Sequence, residues 1–148
     1  MANVLIVYGS TTGNTAMVAE QVSTVLQENG VEVTMKNVVD ATVEELGNGY
    51  DVTLLGSSTW GDDEVEFQED FANYYEELDK VNLKGKKVAV FGCGDSSYEH
   101  FCGAVDLLEG KMEDLGAEMI NEPLRIDGDP EEVLNEITEW AEEIAAKV

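Results

Sequence analysis

Val4-Leu5-Ile6-Val7-Tyr8, running into Gly9-Ser10-Thr11-Thr12-Gly13-Asn14-Thr15, is the stretch that decides the fold. Its first five residues are a short continuous apolar run, as expected of a strand buried on both faces. Beyond Thr15, Val18, Val22, Val25 and Leu26 fall at i, i+4, i+7 and i+8, one face of a helix that Asn29-Gly30 closes. A buried strand, a turn rich in small hydroxyl residues and an amphipathic helix set an alternation that the rest of the chain repeats.

Val52 to Leu55 and Val88 to Phe91 are again short apolar runs. Val31 to Met35 alternates apolar and polar residues and suits an edge strand. Met119-Ile120, then Leu124 to Ile126 past Pro123, suits the opposite edge, where proline is tolerated. Helical stripes lie between: Phe67, Phe71, Tyr74 and Leu78; Val105, Leu108, Met112 and Leu115 before Gly116; and Val133, Ile137, Trp140 and Ile144 after Asp129-Pro130. The last stripe makes Trp140 a core residue. Strands alternating with helices imply a parallel sheet covered on both faces, and residues 1–148 read as one α/β domain without linker or repeat.

The chain has 148 residues, 43% of them apolar, enough for one sizeable core. Eight basic residues against 32 acidic ones leave a net charge of −24. Nucleic acid and anionic membranes are polyanions and are excluded as electrostatic partners; a protein partner should present a basic patch. No apolar run approaches the ~18 residues of a membrane span. Met1-Ala2-Asn3 shows neither a basic leader nor a cleavage site, and Cys93 and Cys102 are too few for a disulfide scaffold. A cytoplasmic location follows as the expectation.

In open parallel sheets ligands bind outside the carboxyl ends of the strands, near the point where strand order reverses. The informative stretches are therefore Gly9 to Thr15, Gly56 to Glu66 and Gly92 to Cys102. The first offers hydroxyls, an amide side chain and backbone N–H groups at a helix N-terminus, a setting that suits an oxyanion. Gly13 allows close backbone approach. The loop lacks the lysine of a nucleotide-triphosphatase loop and the GxGxxG spacing of a dinucleotide site. All eight basic residues lie outside the three stretches. Neutral donors alone suggest a permanently bound monophosphate rather than one transferred in catalysis.

The second stretch, Ser57-Ser58-Thr59-Trp60-Gly61-Asp62-Asp63, sets a tryptophan among small polar residues. The third, Gly92-Cys93-Gly94-Asp95-Ser96-Ser97-Tyr98, does the same with a tyrosine. Two aromatics on neighbouring loops can sandwich a flat ring, with polar groups nearby to bond its edge.

Taken together, these stretches resemble the flavodoxins of the short-chain kind over essentially the whole chain. Ser10 to Thr15 follows that family's [ST]-x-T-G-x-T phosphate loop. Ser58-Thr59-Trp60-Gly61 and Gly94-Asp95-Ser96-Ser97-Tyr98, with Phe101-Cys102, follow its two flavin loops. The last strand has no long insertion, unlike the long-chain group. The resemblance implies a doubly wound, five-stranded parallel sheet of order 2-1-3-4-5 with helices on both faces, and non-covalently bound FMN. It implies that Ser10, Thr12, Thr15, Ser58 and the Trp60 indole hold the phosphate, with the amides of a loop that includes Thr11 and Gly13. Asn14 and Thr59 lie along the ribityl chain, and Trp60 and Tyr98 flank the isoalloxazine. Asp62, Asp95, His100 and Cys102 meet its pyrimidine edge and O4 mainly through backbone groups, and Gly61 faces N5. Cys93, Gly94 and Phe101 complete the cofactor-binding set. Position 57 is Ser where some relatives have Cys, and position 100 is His where some have Tyr; neither change removes a backbone contact. His100 reads by default as a solvated loop residue. Cys93 and Cys102 read as small packing residues, since nothing completes a metal site.

The implied function is low-potential one-electron transfer, mainly between the semiquinone and hydroquinone of FMN. A carrier needs only a tuned cofactor and a docking face. Asp62, Asp63, Glu64, Glu66, Asp95 and Glu99 ring the flavin loops, and would steer basic redox partners such as reductases, iron–sulfur or haem proteins toward a monomer. An FMN-dependent NAD(P)H:quinone oxidoreductase on the same fold is the enzyme alternative; it predicts a basic or insertion-built substrate pocket, which the sequence does not show. A phospho-acceptor receiver module needs acids where Gly9-Ser10 and Gly56-Ser57 stand, and is set aside.

Overall fold

The computed structural model describes residues 3–9, 14–42, 46, 49–60, 66–67, 74–78, 83–94, 103–127 and 130–147, with the backbone alone at 14, 58–60, 66–67, 93–94, 103–104 and 127. β1 (Asn3–Gly9) lies inside the sheet, paired in parallel with β2 (Glu32–Asn37) on one side and β3 (Val52–Trp60) on the other. β5 (Lys87–Gly94) pairs in parallel with β3. The fifth position is shared by two short segments: β6 (Glu118–Met119) on the first half of β5 and β7 (Leu124–Asp127) on the second. The order β2-β1-β3-β5-β6 is the 2-1-3-4-5 arrangement expected from the sequence.

Alternation along β1 explains the two layers. Val4 and Ile6 join a core built with α1 (Asn14–Glu28) and with α3 (Leu134–Lys147), through Val18, Val22, Leu26, Ile137, Trp140 and Ile144. Leu5 and Val7 face the other way, into a core with Tyr74, Leu78 and α2 (Gly103–Asp114), through Val105, Leu108 and Met112. Each such side chain contributes on the order of 1.5–3 kcal/mol when fully buried. Trp140 is buried as expected, edge-on to Phe91 with ring centroids 6.1 Å apart.

Helix ends follow their sequence signals. Gly30 takes φ 81°, and the Val31 N–H donates to the Leu26 carbonyl at 3.0 Å, closing α1. Gly116 takes φ 79°, and the Ala117 N–H donates to the Met112 carbonyl at 3.0 Å, closing α2. A 3-10 turn (Pro130–Val133) leads into α3, so Val133 stands before the helix rather than in it.

Three boundaries differ from the sequence expectation. β3 runs five residues past Leu55, to Trp60, and β5 runs on through Gly92, Cys93 and Gly94, so the second and third loops begin later. Pairing carries the strands on: Ser57 lies between Gly9 and Gly92, Ser58 pairs with Cys93, Thr59 and Trp60 pair with Phe67 and Glu66, and Gly92 and Cys93 lie between β3 and β7, so pairing overrides the weak strand propensity of serine and glycine. Phe67 belongs to β4 (Glu66–Phe67), antiparallel to Thr59 and Trp60 of β3, not to the following helix. Residues 74–77 of that stripe are helical; Phe71 lies outside the described residues.

The break in the fifth strand is closed by α3. The Trp140 indole N–H donates to the Glu122 carbonyl at 2.7 Å. The Lys147 ammonium donates to the Ile120 carbonyl at 2.8 Å and to Asn121 Oδ1 at 3.0 Å, while the Asn121 amide donates to Glu143 at 2.9 Å. Positions 140, 143 and 147 share one helix face, so a single helix supplies the groups the broken ladder lacks.

Candidate functional site

The carboxyl ends of β1, β3 and β5 stand side by side. Gly9 registers with Ser57, Ser57 with Gly92, and Gly92 with Arg125 of β7. Gly9, Ser57 and Gly92 are all buried, so a row of small residues crosses the sheet where β1 ends, while β3 and β5 run on past it. A Cβ at Gly92 would collide with the Ser57 carbonyl oxygen and the Val105 side chain. At Gly56, one row below, the same space is filled by the Phe91 ring. Glycine is required at both places because neighbouring groups already occupy the Cβ position.

α1 begins at Asn14, with four residues between it and the end of β1, and carries no acidic residue in its first turn. α2 and α3 both have one there, Asp106 and Glu136. In a chain with 32 acidic residues, an N-terminus left without a carboxylate keeps its partial positive charge for another anion. Thr15, the second residue of α1, is fully buried at that end. A helix start with no acid in its own first turn and with a buried threonine fits the phosphate of a mononucleotide.

The structure places some of the expected site residues and is silent on others. Asn14, Ser58, Thr59, Trp60, Cys93 and Gly94 are positioned by their backbones, at the start of α1 and the ends of β3 and β5. Ser10, Thr11, Thr12, Gly13, Gly61, Asp62, Asp95, Tyr98, His100, Phe101 and Cys102 lie outside the described residues. Sequence reading left Arg125 aside because it stands in none of the three loops. Yet its guanidinium donates through Nε to Asp106 Oδ1 at 3.1 Å and also bonds that oxygen through Nη2, with Glu109 Oε1 at 3.9 Å. The only available signal was the alternation Leu124-Arg125-Ile126, which turns Arg125 away from its two apolar neighbours.

The model of the flavodoxin family matches residues 6–140. The chain belongs to the flavodoxin family. A flavodoxin of Maridesulfovibrio salexigens is 53% identical over 148 residues, covering 100% of both chains, and one of Nitratidesulfovibrio vulgaris is 50% identical over 141 residues, covering 95% of each. The crystal structure of oxidised Flavodoxin 2 from Bacillus cereus superposes with a TM-score of 0.91 at 38% identity, covering 99% of this chain and 100% of that one. As a flavodoxin, the protein is a small FMN-binding electron-transfer protein that exchanges electrons with other redox proteins. Among the described residues, no helix is long and apolar enough to cross a membrane.

Proposed function

We propose that this flavodoxin is a cytoplasmic, single-domain, monomeric carrier working at low potential, cycling FMN mainly between its one-electron- and two-electron-reduced states, with no substrate site of its own. Bound FMN supplies the capacity to take up and release electrons one at a time. The chain's part is to bind, orient and tune it. Ser10, Thr12, Thr15, Ser58 and Trp60 hold the phosphate, with the amides of Thr11 and Gly13 at the α1 N-terminus. Asn14 and Thr59 line the ribityl chain. Trp60 and Tyr98 exclude water from the two ring faces, while Gly61, Asp62, Asp95, His100 and Cys102 present backbone groups to the ring edge, with Cys93, Gly94 and Phe101 behind them.

The observation that carries this reading is the N-terminus of α1, with no acid in its first turn, following a β1 that ends in register with the small residues Ser57 and Gly92. It supports a neutral, tight phosphate site and leaves the acidic loops to the partner. Basic-patched reductases, iron–sulfur proteins or haem proteins fit that acidic face. The test is a stepwise reduction followed by visible spectroscopy, with NAD(P)H and a quinone added separately. Two separated one-electron steps without sustained NAD(P)H consumption are expected. A single two-electron step with steady quinone turnover would replace the carrier by an oxidoreductase.

A further inference from the structure

Arg125 is the one arginine of the sequence, and it sits where three elements of the site meet. Its strand, β7, is registered on the last four residues of β5, from Phe91↔Leu124 to Gly94↔Asp127. Its guanidinium reaches Asp106 and Glu109 of α2, the helix that the chain enters at Gly103 after leaving β5 at Gly94. In the same row, Val105 packs where a Cβ at Gly92, the register partner of Arg125, would stand. The first turn of α2 is thus held at adjacent residues by different means: Val105 against the sheet, and Asp106 against Arg125.

We propose that Arg125 is a positioning residue for electron transfer: it clamps the first turn of α2 to β7, the strand paired with the end of β5, and so sets the span from Gly94 to Gly103 that the connection 95–102 bridges. The inference rests on the site reading above, which gives that connection its role. Arg125 is suited to the task. A guanidinium presents several donors in a fixed plane, so pairing fixes direction as well as distance, whereas a lysine ammonium fixes distance alone. The Arg125 side chain is 34% exposed and that of Asp106 is 58% exposed, so the pair contributes little to global stability. Its effect is local.

The FMN-loaded wild type is compared with R125Q, R125K and D106N. The readouts are amide hydrogen exchange of 95–102, visible circular dichroism of the flavin and the two reduction potentials. R125Q and D106N change the net charge in opposite senses, so a purely Coulombic role shifts the second potential in opposite directions and leaves exchange alone. The clamp instead predicts that both variants speed exchange of 95–102 about three- to tenfold and alter the flavin dichroism in the same sense, with R125K intermediate. Exchange at the start of β1 should be unchanged, which separates local loosening from global unfolding. Equal exchange of 95–102 in wild type, R125Q and D106N would overturn the clamp. Failure of the site reading shows separately, as a wild type that retains no flavin absorbance; exchange then decides the clamp on the flavin-free chain.

Discussion

Thr15 and Gly92 show how single residues shape this site from opposite directions. The Thr15 side chain is fully buried at an N-terminus that its own helix leaves without a carboxylate. Hydrogen bonds to a charged group contribute about 1.5–3 kcal/mol each, so T12A and T15A should each weaken FMN binding by roughly ten- to a hundredfold. Riboflavin, which lacks the phosphate, should lose less than about threefold at the same positions. Titration of flavin-free protein by fluorescence quenching checks this, and equal losses for both ligands would move the phosphate elsewhere. Gly92 acts by absence. G92A would drive a methyl group into the Ser57 carbonyl oxygen and Val105, neither of which is the free end of a long side chain. An overpacking cost of about 1–3 kcal/mol is expected, read as a lower denaturant midpoint.

Elements respond by their own geometry, and the same substitution changes sign from one to another. Gly110 lies inside α2 with nothing within 4 Å of its Cβ position. G110A should stabilise the protein by roughly 0.5–1 kcal/mol through helix propensity alone, a rise in midpoint where G92A gives a fall. Which elements exist was legible from apolar runs and helical stripes, because burial on both faces of β1, β3 and β5 leaves continuous Val, Leu and Ile, while α1 and α3 leave one stripe. Where β3 and β5 end was not legible. Ser57, Ser58 and Gly92 are turn-like residue types, and their extended conformation comes from pairing with strands remote in sequence. Phe67 misled for the same reason: it fits the helical spacing of Tyr74 and Leu78, but Thr59 across the antiparallel ribbon claims it for β4. The phosphate loop remains a reading of the sequence, since Ser10 to Gly13 lie outside the described residues. The Arg125–Asp106 contact was not legible, since neither residue belongs to a motif and only the tertiary fold joins them.

Across the whole molecule, charge is distributed unevenly. Lys84, Lys86 and Lys87 are exposed together at the amino end of β5. Asp62, Asp63, Glu64, Glu66, Asp95 and Glu99 stand in or beside the connections that leave the carboxyl ends of the strands. A carboxylate about 12 Å from the flavin, at an effective dielectric near ~60, disfavours an added electron by about 0.5 kcal/mol, or roughly 20 mV. Six sum to roughly 0.1 V before salt screening. Converting these six stepwise to their amides should raise the second reduction potential toward that limit. It should also slow electron transfer to a basic haem protein more at low salt than at high salt, because steering is the part that salt removes. Stopped-flow rates across a salt series, with the potentials measured in parallel, check both; unchanged values would remove the acidic residues from the mechanism.

The break between β6 and β7 has a consequence for how the protein folds. Trp140 and Lys147, which donate to the open carbonyls of Glu122 and Ile120, and Glu143, which holds the Asn121 side chain, all lie downstream of the strand they cover. Until α3 docks, the rim of the sheet therefore lacks the groups that cover it. During that interval its carbonyls are open to water, or to the rim of another folding chain. Docking of α3 is then the step that closes the rim of the sheet.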